Sequence, residues 1–155
     1  MVRIRDAYSS QLGEDGSLTL SSTQDEAECR IATWESLVAH PDWDAIWPIM
    51  QIMCLDYTAM AHLDRCRWGA SPVNRSRALE AWRIMMSAYP ENMAMRTAYL
   101  HIDALPSSQP LSVALLEGIL AGSGSRVELP QPPTQRMAVG YAGEPLRAIP
   151  RISAF

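Results

Sequence analysis

Lysine is absent from this chain, and all 13 basic residues are arginine. Without a lysine amine there is no Schiff-base or pyridoxal-phosphate chemistry. Equally there is no P-loop lysine to reach a nucleotide's phosphates and no strand lysine of the protein-kinase pattern. Phenylalanine occurs once and asparagine only at positions 74 and 92. GC-rich codon usage accounts for that bias without selection for arginine chemistry. Cysteine is scarce and odd in number: Cys29, Cys54 and Cys66 sit in apolar helical patterns and read as reduced core thiols of an intracellular protein, not as a disulfide framework. Catalytic signatures are missing too, with no G-x-S-x-G, H-E-x-x-H or C-x-x-C and no acidic residue three positions before any histidine. The Gly122 to Ser125 run follows a helical pattern instead of opening one. A phosphate cradle needs the reverse order, because the amino end of a helix presents the free N–H groups.

What the chain does have is one strongly apolar helical stretch, Ala45 to Arg67, around which the rest must pack. On a 3.6-residue period Gln51, Thr58, His62 and Arg65 form a narrow polar stripe, predicted to face solvent, and apolar residues fill the remaining circumference. Pro48 suits the first turn, where its missing N–H costs nothing, Asp44 is a candidate cap, and Gly69 marks the stop. Gln51, Asp56, His62 and Asp64 break any run of roughly 18 apolar residues, so no membrane span is expected. With 48% hydrophobic residues over 155 positions, a single core is expected.

Before this stretch, residues 1–21 read as a short N-terminal arm. Val2 and Ile4 alternate with Arg3 and Arg5, and the Gly13 to Gly16 cluster predicts a turn between Tyr8–Leu12 and Ser17–Leu20, hence a small β-hairpin. The opening has no apolar segment of the kind a secretory signal carries, which predicts cytoplasmic synthesis. Thr23 with Glu26 three residues on is a capping box that opens a helix carrying Ala27, Ile31, Trp34 and Val38 on one stripe. Ser71 and Pro72 open another, with Ala78, Trp82, Met85 and Tyr89 as its stripe. Further helices are predicted from about Glu91 to Leu105 and from about Leu111 to Ala121, the last closed by Gly122 as a left-handed cap.

From Ser123 onward the helical period is lost, and Pro130, Pro132, Pro133, Pro145 and Pro150 exclude a packed helix there. Yet the segment carries Leu129, Met137, Val139, Tyr141, Leu146, Ile149, Ile152 and Phe155, too apolar a set for a merely solvating linker. These residues are the candidate partner-binding anchors of a long extended C-terminal arm laid on its own body or on a neighbouring subunit.

Charge is uneven along the chain. Residues 1–44 hold three arginines against nine acids, whereas Arg65, Arg67, Arg75, Arg77 and Arg83 cluster in the middle, within an overall net charge of −4. That cluster is a candidate charged contact for another protein surface, and less favourably for nucleic acid, since Asp64 and Glu80 sit among the arginines. A metal site could be imagined from His62 and Cys66 with Cys29 or Asp56, but a histidine on a solvent-facing stripe is not aimed at a partner helix.

The run Ala78-Leu79-Glu80-Ala81-Trp82, followed by Ala88-Tyr89-Pro90-Glu91-Asn92, resembles the second helix and closing proline of a tetratricopeptide or pentatricopeptide repeat, with Tyr57 to Gly69 as its first helix. The resemblance implies a helical-repeat adaptor that binds a protein or peptide. It covers about one and a half repeats, whereas stacking needs about three, and a plain bundle gives the same periodicity.

The reading is therefore a mainly α protein: about five helices in a small bundle or helical array over 22–122, the arm at 1–21, and the extended Pro-rich arm at 123–155. Functionally it is a non-catalytic structural or assembly subunit, docked through its terminal arms to other protein subunits as a homo- or hetero-oligomer within a virion-like particle or other large machine. No enzyme activity and no cofactor are expected.

Overall fold

In the computed structural model residues 2–127 are described. Among these residues are seven α-helices: α1 Val2–Ser9, α2 Gln24–Val38, α3 Pro48–Arg65, α4 Pro72–Ala88, α5 Met93–Ala104, α6 Val113–Ala121 and α7 Ser123–Val127. Short 3-10 turns, Trp43–Ala45 and Cys66–Trp68, lead into and out of α3.

The central position of α3 follows from its composition. Thirteen of its 18 residues are buried, and an apolar helix reaches that state only when neighbours cover it on several sides. α2 and α4 flank it, with α6 and α7 closing the remaining face. Direction can be read from side-chain pairs: His62 meets Asn74 and Asp56 meets Trp82, so descending α3 means ascending α4. The two helices are antiparallel, as their short connection demands. Trp34, Trp43 and Trp82, each at most 1% exposed, supply the large core side chains.

Local chemistry sets most helix ends where the sequence placed them. Thr23 Oγ1 accepts from Glu26 N at 3.1 Å, and the Glu26 carboxylate accepts from the N–H of Ser22, one residue before the cap, at 3.0 Å. Ser71, Asn92 and Ser112 cap α4, α5 and α6 by accepting from the third residue of each helix. Pro48 holds the first turn of α3 as expected, although Trp47 and not Asp44 precedes it and no side chain caps that end. Gly69, at φ 145°, makes the turn between α3 and α4 in a conformation that side-chain-bearing residues avoid.

Four expectations are corrected. The start of the chain is a helix, not a strand: Ile4, Ala7 and Tyr8 recur at helical spacing, Ile4 and Ala7 are buried, and Tyr8 packs its ring 5.7 Å from that of Tyr57. Two alternating pairs at positions 2–5 are too short a pattern to outweigh that stripe. The turn at Gly13–Gly16 does form, with Gly16 at φ 79°, but it closes a single bridge, Leu12 to Leu18, and no strand pair. Gly122 is not a left-handed cap, since it stays in the right-handed region (φ −82°) and the chain runs on into α7. The helical body thus extends to Val127, so the first five residues of the predicted extended arm are helical instead, and the rest of that arm, 128–155, lies outside the described region. Finally, Cys29 is exposed, while Cys54 and Cys66 are buried as predicted. Among the described residues no helix is long and apolar enough to cross a membrane.

Candidate functional site

The polar chemistry of the body is internal, and it is organised around three residues of α3. Asp56, fully buried, is the hub. Its Oδ1 accepts from Trp82 Nε1 at 2.9 Å and from Arg126 Nε at 2.8 Å, and its Oδ2 accepts from Ser123 Oγ at 2.6 Å. Arg126, 2% exposed, spends Nη1 on the Ile119 carbonyl at 2.6 Å and lays its guanidinium over the Trp82 ring, 5.4 Å from the centroid. A buried carboxylate needs this many donors, because a charge taken out of water without them costs several kcal/mol. The result is that α7 is fastened to the centre of α3, and Asn92 Nδ2 adds a bond to the Arg126 carbonyl at 2.8 Å.

At the C-terminal end of α3, Asp64 holds the loop before α2. Its Oδ2 accepts from Ser21 N at 2.9 Å, and its Oδ1 from Arg67 Nε at 2.7 Å, while Arg67 also donates to the Ser21 carbonyl. Between these two, His62 is 1% exposed and bridges neighbours, with Nε2 at 2.7 Å from Glu35 Oε1 on α2 and Nδ1 at 2.8 Å from Asn74 Oδ1 on α4. The solvent-facing stripe predicted for α3 is therefore corrected. Gln51, Thr58 and His62 are all buried, and Gln51 and Thr58 are satisfied by the Trp43 and Cys54 carbonyls. Among the described residues, Trp43 Nε1 is the buried side-chain nitrogen left without a partner.

Burial sets the titration of the groups in and around this core. It pushes the Cys54 thiol up to about 12 and the Tyr57 phenol up to about 12, the latter partly offset by a hydrogen bond with Ser123. It also raises Cys66 and holds His62 below its ordinary value, against the pull of Asn74 and Glu35 in the other direction. Neither buried thiol is an activated nucleophile, since activation needs a lowered pKa.

The arginines of the predicted cluster each have partners within the body. Arg65 pairs with Glu28 at 3.1 Å, Arg67 with Asp64, Arg77 with Glu35 at 3.9 Å, and Arg83 with Glu80 and the Tyr99 hydroxyl. Arg75 reaches across to the Ile102 and Asp103 carbonyls, at 2.6 and 2.9 Å, and so closes the end of α5. Each guanidinium is thus committed to a bond within the body, and Arg126, absent from that cluster, is the most deeply buried arginine among the described residues. Its signal was obscured by the change of character after Gly122.

The imagined metal site is not assembled either. His62 has both ring nitrogens engaged, Cys66 Sγ lies 3.4 Å from the His62 carbonyl, and Cys29 is on the surface. Among the described residues no group of three or more histidine, cysteine, aspartate or glutamate side chains could hold an ion. A cavity bordered by Gln11, Thr19, Arg30, Tyr57, Met60 and Asp64 leaves about 10 Å³ for the centre of a water-sized sphere. That is near the ~10–15 Å³ a single water needs, and far below a substrate pocket. The candidate anchors Leu129, Met137, Val139, Tyr141, Leu146, Ile149, Ile152 and Phe155 lie outside the described residues. No protein-family model, curated protein or solved structure matches the chain.

Proposed function

We propose that the chain is a non-catalytic assembly subunit that docks on other protein subunits through its C-terminal segment, residues 128–155. The observation that carries this reading is the anchorage just before that segment. Arg126 and Ser123 are tied to the fully buried Asp56, so whatever force the segment transmits is borne by the core and not by a frayed helix end. A segment that follows such a root with eight spaced apolar side chains and repeated prolines has the composition of a docking arm. Trp47 and Met93, 68% and 64% exposed at the starts of α3 and α5, add apolar side chains of the kind interfaces use. At the N-terminal end α1 packs Ile4 and Ala7 into the body, which is why the proposal rests on the C-terminal segment.

Native mass measurement of the full chain against a variant with Met137→Asp, Tyr141→Asp and Ile149→Asp tests the reading. Association that falls away in the variant, with an unchanged helical circular-dichroism signal, is the expected result. An assembly mass untouched by three charges in the segment would sink it.

A helical-repeat adaptor is the second reading, favoured by the antiparallel α3–α4 hairpin, which spans the residues that resemble a tetratricopeptide repeat. Superposition of successive helix pairs discriminates: a constant rotation from pair to pair supports the adaptor, and its absence supports the bundle.

A further inference from the structure

His62 sits where α2, α3 and α4 meet, and both of its ring nitrogens face oxygen atoms, Glu35 Oε1 at 2.7 Å and Asn74 Oδ1 at 2.8 Å. Both oxygens are acceptors, so both contacts are hydrogen bonds only when the ring carries two N–H groups. A neutral imidazole has one, and its bare nitrogen would then meet an oxygen lone pair. The Asn74 side chain offers the relief. Its Nδ2 donates to Ser71 Oγ at 2.7 Å. Turned over about its terminal bond, the amide would donate from Nδ2 to His62 Nδ1 and accept at Oδ1 from the Ser71 hydroxyl. Ser71 Oγ would still receive the Asn74 backbone N–H, which lies 3.3 Å away, so the cap of α4 survives in both arrangements.

We propose that His62, Asn74 and Ser71 form a proton-linked relay with two states, in which proton uptake from solvent by His62 reverses the Asn74 amide and the Ser71 hydroxyl at the first turn of α4. The charges around the ring are few. From α2 it is faced by Glu35, and from α4 by Arg77, which lies 3.9 Å from the same Glu35 oxygen. On α3 itself the neighbouring Asp64 and Arg65 are engaged by Arg67 and Glu28. Burial holds His62 below its ordinary value, which makes the turned amide the state at neutral pH and the arrangement with Oδ1 toward the ring the state in acid. Glu35 accepts from Nε2 in both states, so the switching is confined to the Asn74 side.

The test is a pH titration of the uniformly ¹⁵N-labelled full chain followed by NMR. Long-range proton–nitrogen correlations report the protonation and tautomer of His62, and the side-chain NH₂ signals report Asn74. The Asn74 signals are expected to move with the same midpoint as the His62 ring nitrogens, and Asn74→Asp is expected to raise that midpoint by about 1 or more, as an adjacent carboxylate does. In His62→Gln the Asn74 signals should be flat over the same range, a control that does not depend on the aspartate variant folding. Asn74 signals that stay still while His62 titrates in the wild-type chain would overturn the relay. So would a ring that gains no second proton before the protein unfolds.

Discussion

Asp56 and Arg126 are 70 positions apart in the chain and meet at 2.8 Å in the interior of the bundle, both nearly inaccessible to water. Pairs of this kind are costly to bury and costlier still to break, because removing one partner strands the other. Arg126→Met keeps the aliphatic bulk over Trp82 and deletes the charge. It is expected to destabilise the protein by about 3–5 kcal/mol, read from the shift of the urea midpoint. The double variant Asp56→Asn with Arg126→Met should lose less than the two single losses added together. Additive losses would show that the two side chains do not act as a pair.

Trp82 separates packing from hydrogen bonding at the same hub. It is fully buried and its Nε1 donates to Asp56 at 2.9 Å. Trp82→Ala is expected to cost about 3–5 kcal/mol, the range for deleting a large buried aromatic. Trp82→Phe keeps most of the bulk but strands a carboxylate lone pair, so its cost should be smaller and should shrink further in the Asp56→Asn background. Denaturant unfolding of the wild type, the two Trp82 variants, Asp56→Asn and the Trp82→Phe/Asp56→Asn double variant checks both statements. A phenylalanine variant as unstable as the alanine variant would mean that the hydrogen bond outweighs the bulk.

Much of the bundle was legible because its signals are local. Thr23 with Glu26, Ser71 with Pro72, and the stripe Ala78, Trp82, Met85 and Tyr89 each specify a helix end or face within one or two turns, and the structure places them as read. The polar side chains of α3 were not legible. A stripe of Gln51, Thr58 and His62 has the same period whether it faces water or a set of internal partners, and only the partners, 8 to 27 residues away or local carbonyls, decide which. Arg126 was hidden for the same reason. Its meaning lies in a carboxylate 70 positions earlier, beyond the reach of any window of periodicity.

The cysteines give a rapid check of the body's packing. Cys29 lies on the surface of α2, whereas Cys54 is buried with its thiol pushed up to about 12 and Cys66 is buried with its thiol raised. A maleimide reagent at neutral pH is expected to label one thiol per native chain quickly, and the remaining two only as fast as the protein opens. Peptide mapping of the product should locate the label at Cys29. Fast modification of Cys54 in the native chain would place α3 at a surface and undo the architecture described above.

The last prediction concerns acid stability and follows from the sign of the shift at His62. Burial depresses its pKa in the folded chain, whereas the unfolded chain titrates near the ordinary value of about 6.5. Just below that value the unfolded chain therefore binds more protons than the folded one, and stability must fall as the pH falls. The contribution is fully present above about 6.5 and is lost progressively as the pH drops toward the depressed folded pKa. Carboxylates also titrate at lower pH, so the signal is the difference between wild type and His62→Gln, measured as urea midpoints from pH 8 to pH 5. That difference should be constant above about 6.5 and should shift against the wild type below it. A wild type that gains on the variant on acidification would mean that the Glu35 carboxylate and the Asn74 oxygen, 2.7 and 2.8 Å from the ring, stabilise an imidazolium more than burial penalises it.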